Sequence, residues 1–292
     1  MLTLRDLDLS LSRPLLMGVV NANPDSFSDP GPRTPESVVE RACALVAEGA
    51  AIVDVGAQSA ITGRGPVDAG TEAALVAPAV EAIVARCPGT AVSVDAYKPA
   101  VVEAALAAGA HLVNDVSGLR DRAVARMCAA YGAGLVVMHT AAPPLTRLQD
   151  PSLYSSVAAE VAAFLAERVE AALADGVGPR SVVVDPGVDF TKTPAQTVAL
   201  LRDLGPVVAL GRPVLLALSR KDFVGALTGR PPAERGPGTL GAVAALRWVP
   251  GQVLRVHDVA ATAELLAVLD AVGGPDGPPP DLALAEHLRH QR

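Results

Sequence analysis

Eight short apolar runs, each followed by a segment whose apolar residues recur with helical spacing, constrain the fold of this chain more than any other feature. The runs are rich in valine and leucine and mostly do not alternate with polar residues, as is typical of strands buried on both faces. The predicted strands span Leu15–Val20, Ala51–Val55, Ala91–Val94, His111–Val116, Gly134–Met138, Ser181–Val184, Pro213–Leu218 and Gln252–Val256.

Eight strands alternating with about eight helices predict an α/β protein with a single (β/α)8 barrel, the TIM barrel fold. A doubly wound open sheet is the alternative, but the Gly-rich dinucleotide-binding turn that usually follows its first strand is absent from the sequence. Residues 1–272 are assigned to the barrel. Residues 273–292 are rich in Gly and Pro at their start and are predicted to form a C-terminal tail.

Helix boundaries are marked by capping residues and glycines. Three dipeptides place an N-cap before a proline, namely Thr34-Pro35, Asp150-Pro151 and Thr193-Pro194. Thr193 and Gln196 also fit a capping box. Glycines that would close helices in the left-handed conformation stand at 49, 109, 132 and 176.

Composition excludes several classes of function. The 292-residue chain has a net charge of −7, no basic run and eight aromatic residues, which argues against a nucleic-acid surface. No apolar run is long enough to span a bilayer, and the N-terminus lacks the apolar core of a signal peptide. The three cysteines, Cys43, Cys87 and Cys128, all fall in helical patterns, and we interpret them as reduced thiols of a cytoplasmic protein.

Polar residues gather where the predicted strands end, which is the catalytic face of this fold. Because ionisable groups next to buried strands are costly unless they are paired or used, so many of them at one end of a barrel predict an active site. They are Asn21 and Asp25, Asp54 and Gln58, Asp95, Asn114 and Asp115, His139, Asp185, Ser219 to Lys221, and Arg255, His257 and Asp258.

The residue types at these positions suggest a ligand chemistry. The carboxylates, amide and ammonium of Asp95, Asn114, Asp185 and Lys221 can surround a flat heterocycle that carries N–H donors and a carbonyl. Arg255 and His257 are two residues apart on one strand, so they share a face and suit an anion such as phosphate. No spacing typical of covalent catalysis or of a zinc site is present.

We expect lesser roles for four other polar residues. Asp54 and Asp115 are predicted to hydrogen-bond neighbouring protein groups rather than substrate, and Asp258 to hold a neighbouring loop. His139 either packs beneath the site or faces it.

Six motifs occur in order along the chain, and together they are specific. They are M-G-V-V-N-A-N-P-D-S-F-S-D (17–29), S-V-D-A-Y-K (93–98), N-D-V-S-G (114–118), V-D-P-G-V-D-F-T-K-T (184–193), L-S-R-K-D-F-V-G (218–225) and L-R-V-H-D-V (254–259). On these motifs the chain resembles the dihydropteroate synthase family of the pterin-binding barrel superfamily, from about Leu15 to Ala260.

The resemblance implies roles for individual residues. Asp95, Asn114, Asp185 and Lys221 match residues that hold the pterin ring, and Arg255 stacks beside it and forms part of an anion site with His257. Asn21 matches the ligand of a magnesium ion that also holds the diphosphate of the substrate. The implied catalytic residues are Lys221, Asp185, Arg255 and His257, and the implied substrate-binding residues are Asp95, Asn114, Asp185, Lys221, Arg255, Phe27, Phe190, Asp25, Asp222 and Ser59.

The implied reaction begins with loss of diphosphate from a methylene carbon on the pterin, and the amine of p-aminobenzoate then attacks that carbon. The implied partners are a pterin diphosphate or a reduced folate, and an aromatic amine such as p-aminobenzoate or another acceptor. Mg²⁺ is the implied cofactor, and a homodimer is suggested by the family alone.

The chain departs from the family pattern on one side of the site. The second loop, which usually reads G-G-E-S-T-R-P-G, reads G-A-Q-S-A-I-T-G here, so Gln58, Ala60 and Ile61 replace Glu, Thr and Arg. Loss of the Arg removes a bidentate anion partner. Elsewhere Asp189 and Thr191 occupy glycine positions, and Asp222 replaces a Ser that binds p-aminobenzoate. Smaller departures are Ala96 for a Thr and M-H-T-A-A (138–142) for M-H-M-R-G.

These departures leave three hypotheses. The first is a diverged paralogue that transfers a pterin-methylene type group to an amine, with the p-aminobenzoate and diphosphate side altered. The second is an ordinary dihydropteroate synthase, and the third is a non-catalytic pterin-binding protein. Methyl transfer from a reduced folate to a corrinoid uses a related barrel, but the S-R-K and R-V-H motifs favour the synthase branch.

Overall fold

The computed structural model describes residues 1–22, 34–58, 65–274, 277–278 and 280–289. Eight parallel strands close into a barrel in which each strand pairs with the next along the chain and the last pairs with the first. The predicted (β/α)8 barrel is therefore confirmed, with strand bounds within two residues of the predicted ones. The strands are β3 (Leu15–Asn21), β4 (Ile52–Gly56), β5 (Ala91–Asp95), β6 (Leu112–Asp115), β7 (Gly134–Met138), β8 (Val182–Asp185), β9 (Val214–Leu216) and β10 (Gln252–Val256).

Helices follow the barrel strands and cover the outside of the barrel. Their buried residues pack against the outward faces of the strands in one continuous apolar core. They are α1 (Pro35–Ala47), α2 (Ala69–Arg86), α3 (Pro99–Ala107), α4 (Ala123–Tyr131), α5 (Val157–Ala174), α6 (Pro194–Arg202), α7 (Gly205–Val208), α8 (Asp222–Thr228), α9 (Gly236–Ala245) and α10 (Val259–Gly273), with 3₁₀ turns at Pro232–Glu234 and Glu286–Leu288.

Most predicted helix boundaries are correct. Thr34 accepts a hydrogen bond from the Ser37 amide at the start of α1, and Thr193 with Gln196 forms the capping box of α6. All four predicted glycines have positive φ, between 66° and 107°. The prediction at Asp150 was wrong: its carboxylate accepts from the amide and hydroxyl of Ser152 and stabilises a turn, and α5 begins only at Val157.

A short antiparallel hairpin, β1 (Leu2–Leu4) and β2 (Leu7–Leu9), was not predicted from the sequence. Leu2 and Leu4 are fully buried and join the apolar cluster inside the barrel that includes Met17. The hairpin therefore closes the N-terminal end of the barrel. The polar residues at the opposite end line the open mouth, where the carboxyl ends of the strands meet.

Strand register sets those polar residues side by side. Asp54 on β4 pairs with Ser93 on β5, and Asp95 pairs with Asn114 on β6. Asp185 on β8 pairs with Met138 on β7. Among the helices of the described residues, none combines the length and apolar character that a membrane crossing requires.

Candidate active site

Arg255 on β10 joins two carboxylates across the mouth of the barrel. Its Nε donates to Asp54 Oδ2 at 2.7 Å, and its Nη2 donates to Asp95 Oδ2 at 2.9 Å. The Asp54 side chain is fully buried, and those of Asp95 and Arg255 are 15% and 21% exposed. Two carboxylates that share one guanidinium leave an excess negative charge in a desolvated site.

The pKa values of Asp95 and Arg255 are both shifted in this cluster. Burial raises the pKa of Asp95 to about 7, with Asp54 and Glu72 adding to the effect and Arg255 opposing it. Burial disfavours the charge of Arg255, but Asp54 and Asp95 outweigh it and raise the pKa of the guanidinium. Asp95 can therefore donate or accept a hydrogen bond near neutral pH, whereas Arg255 stays cationic.

Asn114 extends this cluster. Its Nδ2 donates to Asp54 Oδ2 at 3.1 Å, so one carboxylate oxygen accepts from both Asn114 and Arg255. Three polar atoms at the cluster are buried and have no hydrogen-bond partner among the described residues: Asp54 Oδ1, Asn114 Oδ1 and Ser93 Oγ. Because buried polar atoms are normally paired, unused acceptors beside Asp95 are a signal of a ligand site.

Lys221 and Asp185 form the other half of the mouth. Asp185 Oδ1 accepts from the Gly187 amide at 2.7 Å, which orients the carboxylate, while burial raises its pKa. Lys221 Nζ lies 4.4 Å from the ring centroid of Phe190, a cation–π distance. Burial lowers the pKa of Lys221, and Asp189 and Asp185 oppose that shift.

Lys192 and His139 lie beneath this half of the site. Lys192 Nζ contacts His139 Nδ1 at 2.9 Å and donates to the carbonyl oxygens of Gly187 and Phe190 at 2.9 and 3.0 Å. Gly187 has φ of +68°, and a Cβ there would collide with the His139 carbonyl oxygen, so the turn requires glycine. Of the two alternatives for His139, packing beneath the site agrees with these contacts.

His257 is held by Ser219. Its Nδ1 lies 2.9 Å from Ser219 Oγ, and its backbone N–H donates to the same oxygen at 3.4 Å. Burial and the charge of Arg255 lower the pKa of His257 to about 4. His257 is therefore neutral at pH 7, and with Nδ1 engaged by Ser219 its Nε2 is the nitrogen left to meet a ligand.

A third lysine, Lys98, organises the base of the second loop. Its Nζ donates to Gln58 Oε1 at 2.7 Å, to the Val67 carbonyl at 2.6 Å and to Glu72 Oε2 at 2.7 Å. Gln58 Nε2 in turn donates to the hydroxyl of Tyr97 at 3.0 Å. The Gln58 amide thus uses both its oxygen and its nitrogen, a pattern that a carboxylate could match only if Tyr97 became the donor.

Two of the departures from the family pattern adopt left-handed backbone. Asp189 and Thr191, at the glycine positions of the motif, have φ of 63° and 51°. This conformation is costly for a β-branched residue. Thr191 Oγ1 offsets the cost by accepting from the Ala141 amide at 3.0 Å and contacting the Tyr154 hydroxyl at 3.2 Å. Replacement of glycine by Thr191 therefore introduces contacts between loops.

Asp222, the residue at the Ser position, lies at the N-terminus of α8. Its Oδ1 accepts from Arg235 Nη1 at 3.1 Å, and its side chain is 60% exposed. Arg235 is only 12% exposed and also donates to the Arg220 carbonyl at 2.9 Å. The sequence shows a carboxylate at the Ser position, and the structure shows that Arg235 compensates its charge.

The remaining predicted residues are placed as follows. Asn21 ends β3 at the mouth and is half-buried, whereas Asp25, Phe27 and Ser59 lie outside the described residues. Asp115 accepts from the amides of Ser117 and Leu119, and Asp54 pairs with protein groups, both as predicted. Asp258 caps α10 through the Ala261 amide rather than holding a loop. Within the described residues, no three His, Cys, Asp or Glu side chains group together as a metal site.

The roles of Lys98 and Lys192 were missed by sequence reasoning, although both lie in quoted motifs. A signal was available. The chain has 24 lysine and arginine residues, of which only Lys98, Lys192 and Lys221 are lysines, and all three lie in or beneath the mouth of the barrel. Where arginine serves nearly everywhere else, a retained lysine indicates a site that needs a compact ammonium.

The closed barrel and its buried polar mouth place the chain among the α/β-barrel enzymes. Comparison with known proteins agrees: a family model described as pterin binding enzyme matches residues 17–257. Dihydropteroate synthase of Mycobacterium leprae is 41% identical over 273 residues, covering 90% of this chain and 95% of the relative. A protein named inactive dihydropteroate synthase 2, from Mycobacterium bovis, is 38% identical, covering 90% of this chain and 84% of the relative.

Solved structures give the same result. Xanthomonas albilineans dihydropteroate synthase with 4-aminobenzoic acid superposes with a TM-score of 0.83 at 41% identity, covering 90% of this chain and 94% of that one. The Thermus thermophilus enzyme in complex with 6HMPPP gives a TM-score of 0.79 at 43% identity, covering 93% and 99%. The chain belongs to the dihydropteroate synthase family, whose active members are transferases of folate biosynthesis.

Proposed function

We propose that this chain binds a pterin or a folate in the mouth of its barrel and transfers a pterin-methylene type group to an amine, with the acceptor and diphosphate side altered relative to the family. The observation that carries the proposal is the buried cluster of Asp54, Asp95, Asn114 and Arg255, with its unpaired acceptor atoms. A ring that bears amino, N–H and carbonyl groups has the complementary donors and acceptors.

Each half of the site has a distinct task in this proposal. Asp95 and Asn114 bind the edge of the ring, and Asp185 and Lys221 bind its opposite polar groups. Arg255 stays cationic, so it stabilises negative charge as the C–O bond to diphosphate breaks and the leaving group takes the electron pair. The acceptor amine then forms the C–N bond and loses a proton.

The proposal gives His257 and Lys221 roles on the leaving-group side. A neutral His257 with Nδ1 held by Ser219 offers an Nε2–H donor to a phosphate oxygen. Lys221 Nζ lies over the Phe190 ring, and its charge opposes the rise in the pKa of Asp185. Together with Arg255, these groups form a site that suits a polyanion such as diphosphate.

Magnesium is proposed as a partner of the diphosphate. Among the described residues no three His, Cys, Asp or Glu side chains could hold a metal together, so the proposed ion would be held mainly by phosphate oxygens and water, with one amide oxygen from Asn21. When bound, the ion would neutralise the leaving diphosphate. A homodimer, a cytoplasmic location and a division at residue 272 remain predictions.

The altered acceptor side is supported by Asp222 and Asp189, two carboxylates where the family has Ser and Gly. Arg235 compensates Asp222, and Asp189 Oδ2 accepts from the Phe223 amide at 3.3 Å while its Oδ1 is buried without a partner in the described chain. Added carboxylates near the acceptor disfavour an anionic amine such as p-aminobenzoate.

Ordinary dihydropteroate synthase is supported equally well by family membership, and the Xanthomonas and Thermus complexes favour p-aminobenzoate and a pterin diphosphate as substrates. The inactive relative favours the third hypothesis, a pterin-binding protein without turnover. The three hypotheses differ in what they predict for the two half-reactions.

The test follows diphosphate and dihydropteroate separately, with 6-hydroxymethyl-7,8-dihydropterin diphosphate, Mg²⁺ and p-aminobenzoate. Both products at roughly 0.1–10 per second identify an ordinary synthase. Diphosphate alone, followed by adduct formation with another amine in a panel, supports the altered acceptor. Neither product, with pterin binding retained in calorimetry, indicates a binding protein. Absence of pterin and folate binding would refute the proposal.

A further inference from the structure

Two cysteines that are far apart in sequence meet between the first two barrel helices. Cys43 Sγ and Cys87 Sγ are 2.8 Å apart, although the residues are separated by 44 positions. Cys43 is half-buried in α1, and Cys87 is the buried C-cap of α2. The third thiol, Cys128, is also free and is buried in α4.

We propose that Cys43 and Cys87 are a site of oxidative modification, at which a hydroperoxide converts the two free thiols into a reversible intramolecular disulfide. The main requirement for a disulfide is that the two side chains already point at each other across a short gap. Here α1 and α2 are packed neighbours, so their backbones hold the two sulfurs in contact before any reaction.

The surroundings set the order of the reaction. Burial and the hydrogen bond with Cys43 raise the pKa of Cys87 to about 11, so this thiol is a poor first nucleophile. Cys43 is the more accessible partner and reacts first. The Cys43 thiol loses its proton, and its sulfur attacks one peroxide oxygen. The O–O bond breaks, the departing hydroxide takes up the proton and leaves as water, and Cys43 becomes a sulfenic acid.

The second step closes the bond. The sulfur of Cys87 attacks the sulfur of Cys43, the S–O bond breaks, and the departing hydroxide takes the thiol proton as water. Overall, the two thiols lose two electrons and two protons, and hydrogen peroxide is reduced to two waters; an organic hydroperoxide would give one alcohol and one water. A low-molecular-weight thiol reverses the reaction by exchange.

The position of the pair predicts what the bond would change. Cys87 ends α2 just before β5, on the side of the barrel away from the mouth, because the helices run antiparallel to the strands. The disulfide should therefore leave the site geometry in place and restrict the unfolded chain instead. For a loop of this length in a chain of this size, we expect the melting temperature to rise by about 5–10 °C.

The experiment uses the full chain treated with graded hydrogen peroxide, then alkylated and digested with trypsin without reduction. The expected product is a covalent link between peptides 42–64 and 87–120, with the thiol count falling from three to one. The melting temperature should rise as the link forms and return after dithiothreitol.

Two variants provide matched controls. Cys128→Ser should form the same link, and Cys43→Ser should show neither the link nor the thermal shift. The proposal is overturned if peroxide leaves three thiols, produces sulfinic acid without the link, or joins Cys128 or a second chain instead. Because the readouts are a peptide link and a melting temperature, none of these outcomes depends on catalytic activity.

Discussion

Lys192 Nζ and His139 Nδ1 lie 2.9 Å apart beneath the mouth of the barrel, with both side chains buried. Two basic groups in contact cannot both be protonated in a desolvated site without a large cost. Burial lowers the pKa of His139 to about 3, and the charge of Lys192 adds to that shift. Burial also lowers the pKa of Lys192 to about 7, with Asp185 opposing the shift and Lys221 adding to it. Near neutral pH His139 is therefore neutral, and Lys192 is the member of the pair that titrates.

This pair predicts a pH dependence of stability. Between pH 7 and 10.5 the unfolded chain retains a proton on Lys192 that the folded chain has released, so the free energy of unfolding should rise with pH. The contribution approaches about 1.4 kcal/mol per pH unit for one proton. Lys192→Met should remove that rise, as measured by urea unfolding at pH 7, 8, 9 and 10.

Lys192→Arg tests the same point with the charge retained. Arginine does not deprotonate in this range, so the variant should be less stable than the wild type throughout and should also lack the rise. If both variants show the slope of the wild type, Lys192 is not the group that titrates.

A second prediction concerns the pairing of Arg255. Arg255→Met leaves Asp54 and Asp95 buried without their cation and should cost about 3–5 kcal/mol of unfolding free energy. Arg247, which pairs with Asp270 at 3.6 Å on the surface, is the matched control, and Arg247→Met should cost about 0–1 kcal/mol. Equal costs in urea unfolding would mean that the buried cluster contributes no more than a surface pair.

A third prediction concerns the relative stability of two variants at Thr191. Thr191→Ala keeps the left-handed backbone and loses the hydrogen bonds to Ala141 and Tyr154, so it should destabilise by about 1–3 kcal/mol. Thr191→Gly loses the same hydrogen bonds but relieves about 1 kcal/mol of backbone strain. The Gly variant should therefore be the more stable of the two in thermal melts. The reverse order would show that the residue is unstrained.

The fourth prediction concerns acceptor choice. Asp222→Ser should lower KM for p-aminobenzoate about 3- to 10-fold, because a carboxylate is removed from the side where the acceptor is proposed to bind. Arg235→Met should have the opposite effect, since it leaves Asp222 uncompensated. Aniline, which has no carboxylate, is the control acceptor and should respond to neither change. Equal responses of both amines would place Asp222 away from the acceptor.

The barrel was predictable from the sequence because buried parallel strands leave uninterrupted Val and Leu runs, and helix ends carry Thr-Pro and Gly signals. The helix start predicted at Asp150 was wrong because an aspartate side chain can stabilise a turn as well as cap a helix. The hairpin at Leu2–Leu9 was not predicted because its strands have three residues each, too few for an alternation of apolar and polar residues to be recognised.

The site was predictable as a set of strand-end residues but not as a network. Sequence placed Asp95, Asn114 and Arg255 at one end of the barrel, yet which carboxylates share Arg255 depends on strand register. Arg235 could not be assigned to Asp222 because it arrives from a separate turn. Likewise, nothing in the sequence indicates that Cys43 and Cys87 are in contact, since that contact depends on how two helices pack.

The restriction of lysine to three positions, all in or beneath the mouth, makes this residue type a natural spectroscopic reporter. Protein grown with isotopically labelled lysine would carry only three labelled side chains: one beside the proposed ring site, one on the floor and one at the base of the second loop. A ligand titration followed in such a spectrum needs little assignment effort. Each of the three signals would report on a different part of the barrel mouth.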